Sequence, residues 1–330
     1  MGTVWSQMRP PAPRFTEQDI PSLDGKVIIV TGGNAGVGFE VVKMLYPKGG
    51  CTIYIASRST DKITAAIEEI KSIAPAPPQS KPTRLKSLRL DLNDLTTISE
   101  SAKQFLAQES RLDILWNNAG IAQAPLGSTT KQGYEAHMGV NCLGPYLFTK
   151  LLTPLIIKTA QSAPKNSVRV IWTSSQIIET NGPPGGVSFE EQEPGKHPAD
   201  KNRTYAASKA GNWFLASELD KRVGNDGVMS ITQNPGNLYT KAWDPVPGWV
   251  KFLLLPFLYE PKMGAYTELW AGLAPQITCD DGGRYVIPWG RWHPAPKLEL
   301  LDSMKAKEEG GTGLAAEFWE WCDDQTKQYA

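Results

Sequence analysis

The sequence predicts an α/β fold, a single doubly wound parallel sheet with helices on both faces. Three observations carry that expectation. From residue 26 onward, short apolar runs alternate with amphipathic stretches, the pattern of successive strand–helix–strand units. A glycine-rich turn, Thr31-Gly32-Gly33-Asn34-Ala35-Gly36-Val37-Gly38, separates the first apolar run from the first amphipathic one. The run LDILWN (112–117) is almost continuously apolar, as a strand covered on both faces must be.

The elements follow in order. KVIIV (26–30) reads as the first strand, and FEVVKMLYPKG (39–49) as a helix that Gly49-Gly50 ends. CTIYIAS (51–57) and DKITAAIEEIKSIA (61–74) repeat the pair, and PAPPQSKP (75–82) is too proline-rich for regular structure. RLKSLRLDL (84–92) is the third strand, Leu95 to Gln108 its helix, and LDILWN the fourth strand. A long helix is expected around Tyr134 to Leu152, then VRVIWTS (168–174) as strand five. Residues 180–203 are rich in Gly, Pro and charge and read as a surface insertion. They lead into a helix carrying Tyr205 and Lys209, followed by MSITQN (229–234) as strand six. No linker separates two domains, so the organisation is an N-terminal arm (1–23) and one domain (24–330), with a segment over the site at about 240–265.

Composition narrows the function. Lys plus Arg and Asp plus Glu each total 34, so formal net charge is zero, which argues against nucleic acid as a partner. The four cysteines are scattered without a CxxC pair, and no histidine has metal-ligand spacing, so no metal site is expected. The N-terminus lacks an apolar signal region, and the longest apolar candidate, WVKFLLLPFLY (249–259), is too short to span a bilayer. A cytoplasmic protein is therefore expected. Gly2, with Ser6 four positions on, meets the loose pattern for N-myristoylation.

The glycine turn carries the first chemistry. Its setting between strand and helix lets backbone amides approach a pyrophosphate at the helix N-terminus. The residues assigned to that contact are Gly32, Asn34, Gly36, Val37 and Gly38. Strand two ends at Ser57-Arg58, where an NAD-binding unit would place a carboxylate on the ribose. A guanidinium suits a 2′-phosphate instead, so NADP(H) is preferred over NAD(H). Asp61, three residues beyond Arg58, is expected to cap the next helix or to compete with that role. Asp91, with Leu92 beside it, is placed to meet the adenine or to shape a turn. Asn118-Ala119-Gly120 closes strand four with residues small enough to admit the nicotinamide ribose. In TYAASKA (204–210), Tyr205 and Lys209 share one helical face. Two readings stand for them: a half-buried Tyr with a snorkelling Lys, or a Tyr whose ionised form the Lys stabilises for acid–base work.

Taken together, TGGNAGVG, NNAG and YAASK resemble the short-chain dehydrogenase/reductase superfamily, over about residues 24 to 240. GYEAHMGVNCLGPYLFTKLL and YAASKAGNWFLASEL are most similar to its retinol-dehydrogenase-like branch, with many fungal members. The resemblance implies a Rossmann-type fold and hydride transfer between a nicotinamide and a carbonyl or alcohol. It implies Tyr205 as acid/base, Lys209 as its pKa-lowering partner and ribose ligand, and Asn141 as the residue that kinks its helix and joins a water relay to Lys209. It places the substrate-orienting serine in Trp172-Thr173-Ser174-Ser175-Gln176, at Ser175 by the family's habit, although strand alternation allows only one of Ser174 and Ser175. It makes Pro235-Gly236-Asn237-Leu238-Tyr239-Thr240 the loop at the nicotinamide carboxamide, with Leu238 on the carboxamide and Thr240 on a diphosphate oxygen.

Beyond 240 the chain turns aromatic and apolar, through Trp243, Trp249, Phe252, Leu253, Leu254, Leu255, Phe257, Leu258 and Tyr259. In the family this region covers the substrate, so a hydrophobic small molecule is expected, such as a secondary-metabolite intermediate. The same residues would serve a peripheral membrane contact. Relatives often pair through the helices containing Asn141 and Tyr205, which makes a homodimer, or a monomer if 180–203 blocks that face. A cofactor-binding regulator, or a non-redox cyclase or isomerase, is the alternative function.

Overall fold

A computed structural model describes residues 2–239 and 257–330. Eight strands form one sheet in the order β3-β2-β1-β4-β5-β6-β7-β8: β1 Val27–Thr31, β2 Thr52–Ser57, β3 Arg84–Arg89, β4 Ile114–Asn117, β5 Val168–Thr173, β6 Val228–Gln233, β7 Tyr285–Ile287 and β8 Arg291–Trp292. Every pairing is parallel except the last, so the fold is the expected α/β one with one added antiparallel edge. β7 and β8 were not foreseen: three and two residues are too few to show a period.

Described helices are α1 Gly2–Met8, α2 Gly36–Leu45, α3 Thr60–Ile73, α4 Ile98–Leu106, α5 Ala136–Ala160, α6 Lys201–Val223, α7 Pro261–Leu273, α8 Leu298–Met304 and α9 Leu314–Thr326. One sheet face is closed by α2, α3 and α7, around Val42, Ile63, Leu269 and Trp116. The other is closed by α4, α5 and α6, around Phe105, Leu147 and Phe214. The helix at α5 runs eight residues further than the sequence indicated. It is the one described helix long and apolar enough to cross a membrane, a span the sequence reading did not find. Two-thirds of that stretch lies inside the protein, so its apolarity belongs to a core helix.

Two expectations are corrected here. Residues 180–203 are not simply a surface insertion: Pro183, Gly186 and Val187 are buried, and Ser303 donates to the Gly185 carbonyl at 2.8 Å. Nor is 240–265 one covering segment, because 261–265 begins α7, whose Gly264 and Ala265 are buried against α2 and Leu238. Residues 240–256 lie outside those described.

The C-terminal helix α9 covers the outer side of α5 and α6. Phe318 is fully buried against Phe214 and Gly211, where a Cβ would come within 2.8 Å of its ring. Trp319 meets Tyr146 edge-on at 4.8 Å, and the Tyr146 hydroxyl donates to Asp323 at 2.8 Å. Replacing Phe318→Ala removes the ring that seats this helix. Urea unfolding should show a loss of about 3–5 kcal/mol; a loss below about 1 kcal/mol would mean that α9 is not integral to the core.

Candidate active site

The strand ends carry the site, as open parallel sheets dictate. At β1, Gly32 and Gly36 hold φ of +69° and +57°, the left-handed region that favours glycine. At Gly38 a Cβ would fall 2.6 Å from Asn118 Nδ2, so only glycine lets α2 approach β4 this closely. Asn118 donates to the Thr31 carbonyl at 2.8 Å, and the Ala119 N–H donates to Thr31 Oγ1 at 2.9 Å. α2 then starts with no side-chain cap, and Ala35 precedes it. Its first N–H groups are therefore available to an anion. Beside it, Gly32, Ser57, Arg58, Leu92, Ala119 and Gly120 line a cleft of about 200 Å³. Arg58 is exposed. The cap of α3 is Ser59, accepting from the Lys62 N–H at 3.3 Å, and not Asp61. Asp91 shapes its turn, accepting from the Asn93 N–H at 3.0 Å, whereas Leu92 faces the cleft.

The structure brings Ser175, Tyr205, Lys209 and Asn141 together. Ser175 caps the short turn Gln176–Glu179 and hydrogen-bonds Tyr205. Ser174 is committed elsewhere, its hydroxyl donating to the Lys209 carbonyl at 2.7 Å. Burial pushes the Tyr205 phenol up to about 12, opposed by Ser175. Burial also pulls the Lys209 ammonium down to about 8. Lys209 Nζ lies 5.7 Å from the Tyr205 ring centroid and donates to the Thr173 carbonyl at 2.9 Å. The causes of the Tyr205 shift are burial, which raises it, and the Ser175 hydroxyl, which lowers it.

Asn141 lies in a widened π-type turn, Gly139–Leu143, within α5. Its Oδ1 accepts from the Ile121 N–H at 2.8 Å, and its Nδ2 donates to the Ile121 carbonyl and to Ser208 Oγ. A Cβ on Gly120 would lie 3.0 Å from that Oδ1 and 3.2 Å from Lys209 Nζ, so glycine keeps the two in reach of the cleft. At β6, Asn234 Oδ1 accepts from the Gly236 N–H at 3.0 Å. A Cβ on Gly236 would meet the Trp289 ring at 2.8 Å. Leu238 is buried and bridges to Tyr259, so Pro235 to Tyr239 is held at both ends. Thr240 lies outside the described residues.

Several residues that matter to this geometry escaped the sequence reading. Thr173 accepts from Lys209 and Asn212 at its carbonyl, and its hydroxyl donates to Glu268 Oε1 at 3.0 Å. Asn212, three residues after Lys209, was legible by helical spacing. His137 packs edge-on at 5.6 Å from Tyr205, Nε2 accepting from the Ala124 N–H and Nδ1 at 2.8 Å from Glu135. Glu268 gave no signal, since only the fold brings α7 under β5.

Comparison with known proteins fits this arrangement. The family model described as short chain dehydrogenase matches residues 26–188. The short-chain dehydrogenase/reductase iacJ of Pestalotiopsis fici is 50% identical over 99% of this chain and 98% of its own length. A short-chain dehydrogenase/reductase of Phomopsis amygdali is 44% identical over 99% and 97%. The chain belongs to the short-chain dehydrogenase/reductase family. It is an oxidoreductase with a Rossmann-type nucleotide-binding fold. Among solved structures, the RhlG/NADP complex of Pseudomonas aeruginosa shares the fold at TM-score 0.61 and 22% identity, over 82% of this chain and 98% of its own.

A short-chain dehydrogenase/reductase binds NAD(P), and this chain fits one: glycines clear the space at the β1 turn, α2 opens uncapped, and the cleft ends at an exposed guanidinium. Behind the site, Glu268 is fully buried, and desolvation pushes its carboxyl up to about 8. A carboxyl raised above its ordinary 4.5 binds its proton more tightly folded than unfolded. Its stabilisation is full below pH 4.5 and is lost as pH rises toward 8. Glu268→Gln should therefore flatten the fall in stability across that window, read by urea unfolding at several pH values; an unchanged slope would exclude a neutral Glu268.

Proposed function

We propose that this short-chain dehydrogenase/reductase is an NADP(H)-dependent carbonyl reductase or alcohol dehydrogenase for an apolar small molecule. The observation that carries the reading is the convergence of Ser175, Tyr205, Lys209 and Asn141 beside a cleft ending at Arg58. The reduced nicotinamide supplies the hydride. Gly32, Asn34, Gly36, Val37 and Gly38 hold the pyrophosphate against the start of α2, and Ser57 and Arg58 hold the 2′-phosphate. Leu92, Asn118, Ala119 and Gly120 line the nucleoside side, with Asp91 shaping the turn. Pro235, Gly236 and Leu238 form the carboxamide wall.

Ser175 orients the carbonyl oxygen and Tyr205 gives it a proton. A phenol held neutral by burial is already a donor at physiological pH, which suits reduction. Lys209 and the Asn141 turn stand behind it, close enough to Gly120 to resupply that proton through the ribose or water. The apolar character of 243–259 supports a hydrophobic substrate, and the P. fici and P. amygdali relatives, named as short-chain dehydrogenase/reductases, support an oxidoreductase. The cover of α9 over α5 and α6 favours a monomer, because it occupies the face through which relatives pair.

Tyr205→Phe should lower turnover of apolar ketones by roughly 10²–10⁴-fold while NADPH still binds. Activity near the wild-type level would remove Tyr205 from the mechanism, and NADPH binding without turnover of any carbonyl by the wild type would favour a regulatory role. Arg58→Ala should weaken NADPH by about ten- to a hundredfold and NADH by less than about threefold. Equal losses in a fluorescence titration would refute the 2′-phosphate contact.

A further inference from the structure

Within the N-terminal arm, α1 ends in a buried polar junction beside the site. Gln7 is 1% exposed. Its Oε1 accepts from Asn234 Nδ2 at 2.9 Å, and its Nε2 donates to Glu179 Oε2 at 3.1 Å. Glu179 closes the turn that Ser175 opens, and Asn234 holds the Gly236 N–H. One side chain therefore bridges the two turns that flank the proposed hydride-transfer geometry.

The neighbours reinforce the junction. His293 Nδ1 accepts from the Ala295 N–H, which leaves the proton on Nε2, 2.9 Å from Glu179 Oε1. Gln176, next to Ser175, donates to the Val4 carbonyl at 3.1 Å. Arg291 donates to Ser6 Oγ and to the Ser6 carbonyl at 2.8 and 2.9 Å. Trp5 meets Phe257 edge-on at 6.2 Å, and Arg9 lies over both rings. The Tyr259 hydroxyl reaches the Met8 carbonyl at 3.4 Å. Trp5 and Tyr239 remain more than half exposed. A mere strap needs no fully buried amide. Burying Gln7 is worthwhile only if its partners must be held in one relative position.

We propose that Gln7 is a positioning residue of the active site, and that Val4–Arg9 is part of the substrate end of the enzyme. This rests on the reading that Ser175 orients the carbonyl and that Pro235-Gly236 borders the nicotinamide. Gln7 sets the distance between those two turns, while Trp5 adds an aromatic surface beside Phe257.

The test uses the full chain and Gln7→Leu, which keeps the volume and removes both hydrogen bonds, with Gln7→Asn as a second variant should the first fail to fold. Hydrogen exchange read by mass spectrometry needs no substrate. Exchange should quicken at 174–181 and 233–239 and stay unchanged at the glycine turn, 31–45. With a ketone that the wild type reduces, kcat should fall by roughly ten- to a hundredfold, as small misplacements do, while KM for NADPH stays within about threefold. Unchanged exchange in either turn overturns the proposal, as does quickened exchange with kcat intact. If the wild type reduces no ketone, the reductase reading fails by itself, and the exchange pattern still decides whether Gln7 couples the two turns.

Discussion

The site depends on how one buried ammonium is satisfied. Lys209 is 4% exposed, and an ammonium taken out of water is costly unless acceptors replace its hydration. The Thr173 carbonyl, at the end of β5, supplies one and also accepts from Asn212. The Thr173 hydroxyl donates to Glu268 on the opposite face of the sheet, and Gln233 Nε2 donates to Thr173 Oγ1 at 2.9 Å and to Glu268 Oε1 at 2.6 Å. A single residue thus ties α6 to α7 through the edge of the sheet. Ser174, next in sequence, donates to the Lys209 carbonyl and fixes the same helix a second time. Ser174 is thereby engaged with the helix, whereas Ser175 hydrogen-bonds Tyr205.

Electrostatics then sort the buried groups. Two ionised groups close behind the site would each carry a desolvation cost. Burial raises the Glu268 carboxyl and lowers the Lys209 ammonium, each against its own charged form, while the charge of the other opposes the shift. Under the proposed mechanism, an oxygen gaining negative charge beside Lys209 would be favoured by that ammonium. Burial raises the Tyr205 phenol to about 12, so in the proposed reaction it would serve as the acid.

Much of this was legible in residue order. The glycine turn, the Asn118-Ala119-Gly120 close of strand four and the Tyr205–Lys209 spacing are local, so backbone rules and helical period reveal them. What stayed hidden depends on chain returns. Glu268 lies 95 residues from Thr173, and Gln7 lies 227 from Asn234, distances over which no pattern carries. β7 and β8 were missed because they are too short to have a period. The insertion at 180–203 looked superficial because its composition is polar, although Val187 is driven into the core shared with α6. Arg58 was read from what strand two lacks, a carboxylate, and its exposure beside the cleft is consistent with that logic.

The C-terminal helix α9 packs on the side of α6 away from Tyr205 and Lys209. At its outer side α9 buries Phe318 against Phe214, and Arg222 stacks over Trp319 at 4.4 Å. At its inner side Tyr205 and Lys209 face the strand ends. A catalytic helix needs both: the inner face must present a Tyr and a buried Lys, which contribute little hydrophobic stabilisation, so the outer face must supply it. Phe214, Ala210 and Gly211 on that outer side are small or apolar where α9 seats, and Gly211 is small because the Phe318 ring occupies the space of a Cβ. The aromatic tail is therefore the packing counterpart of the face of α6 that carries Tyr205 and Lys209.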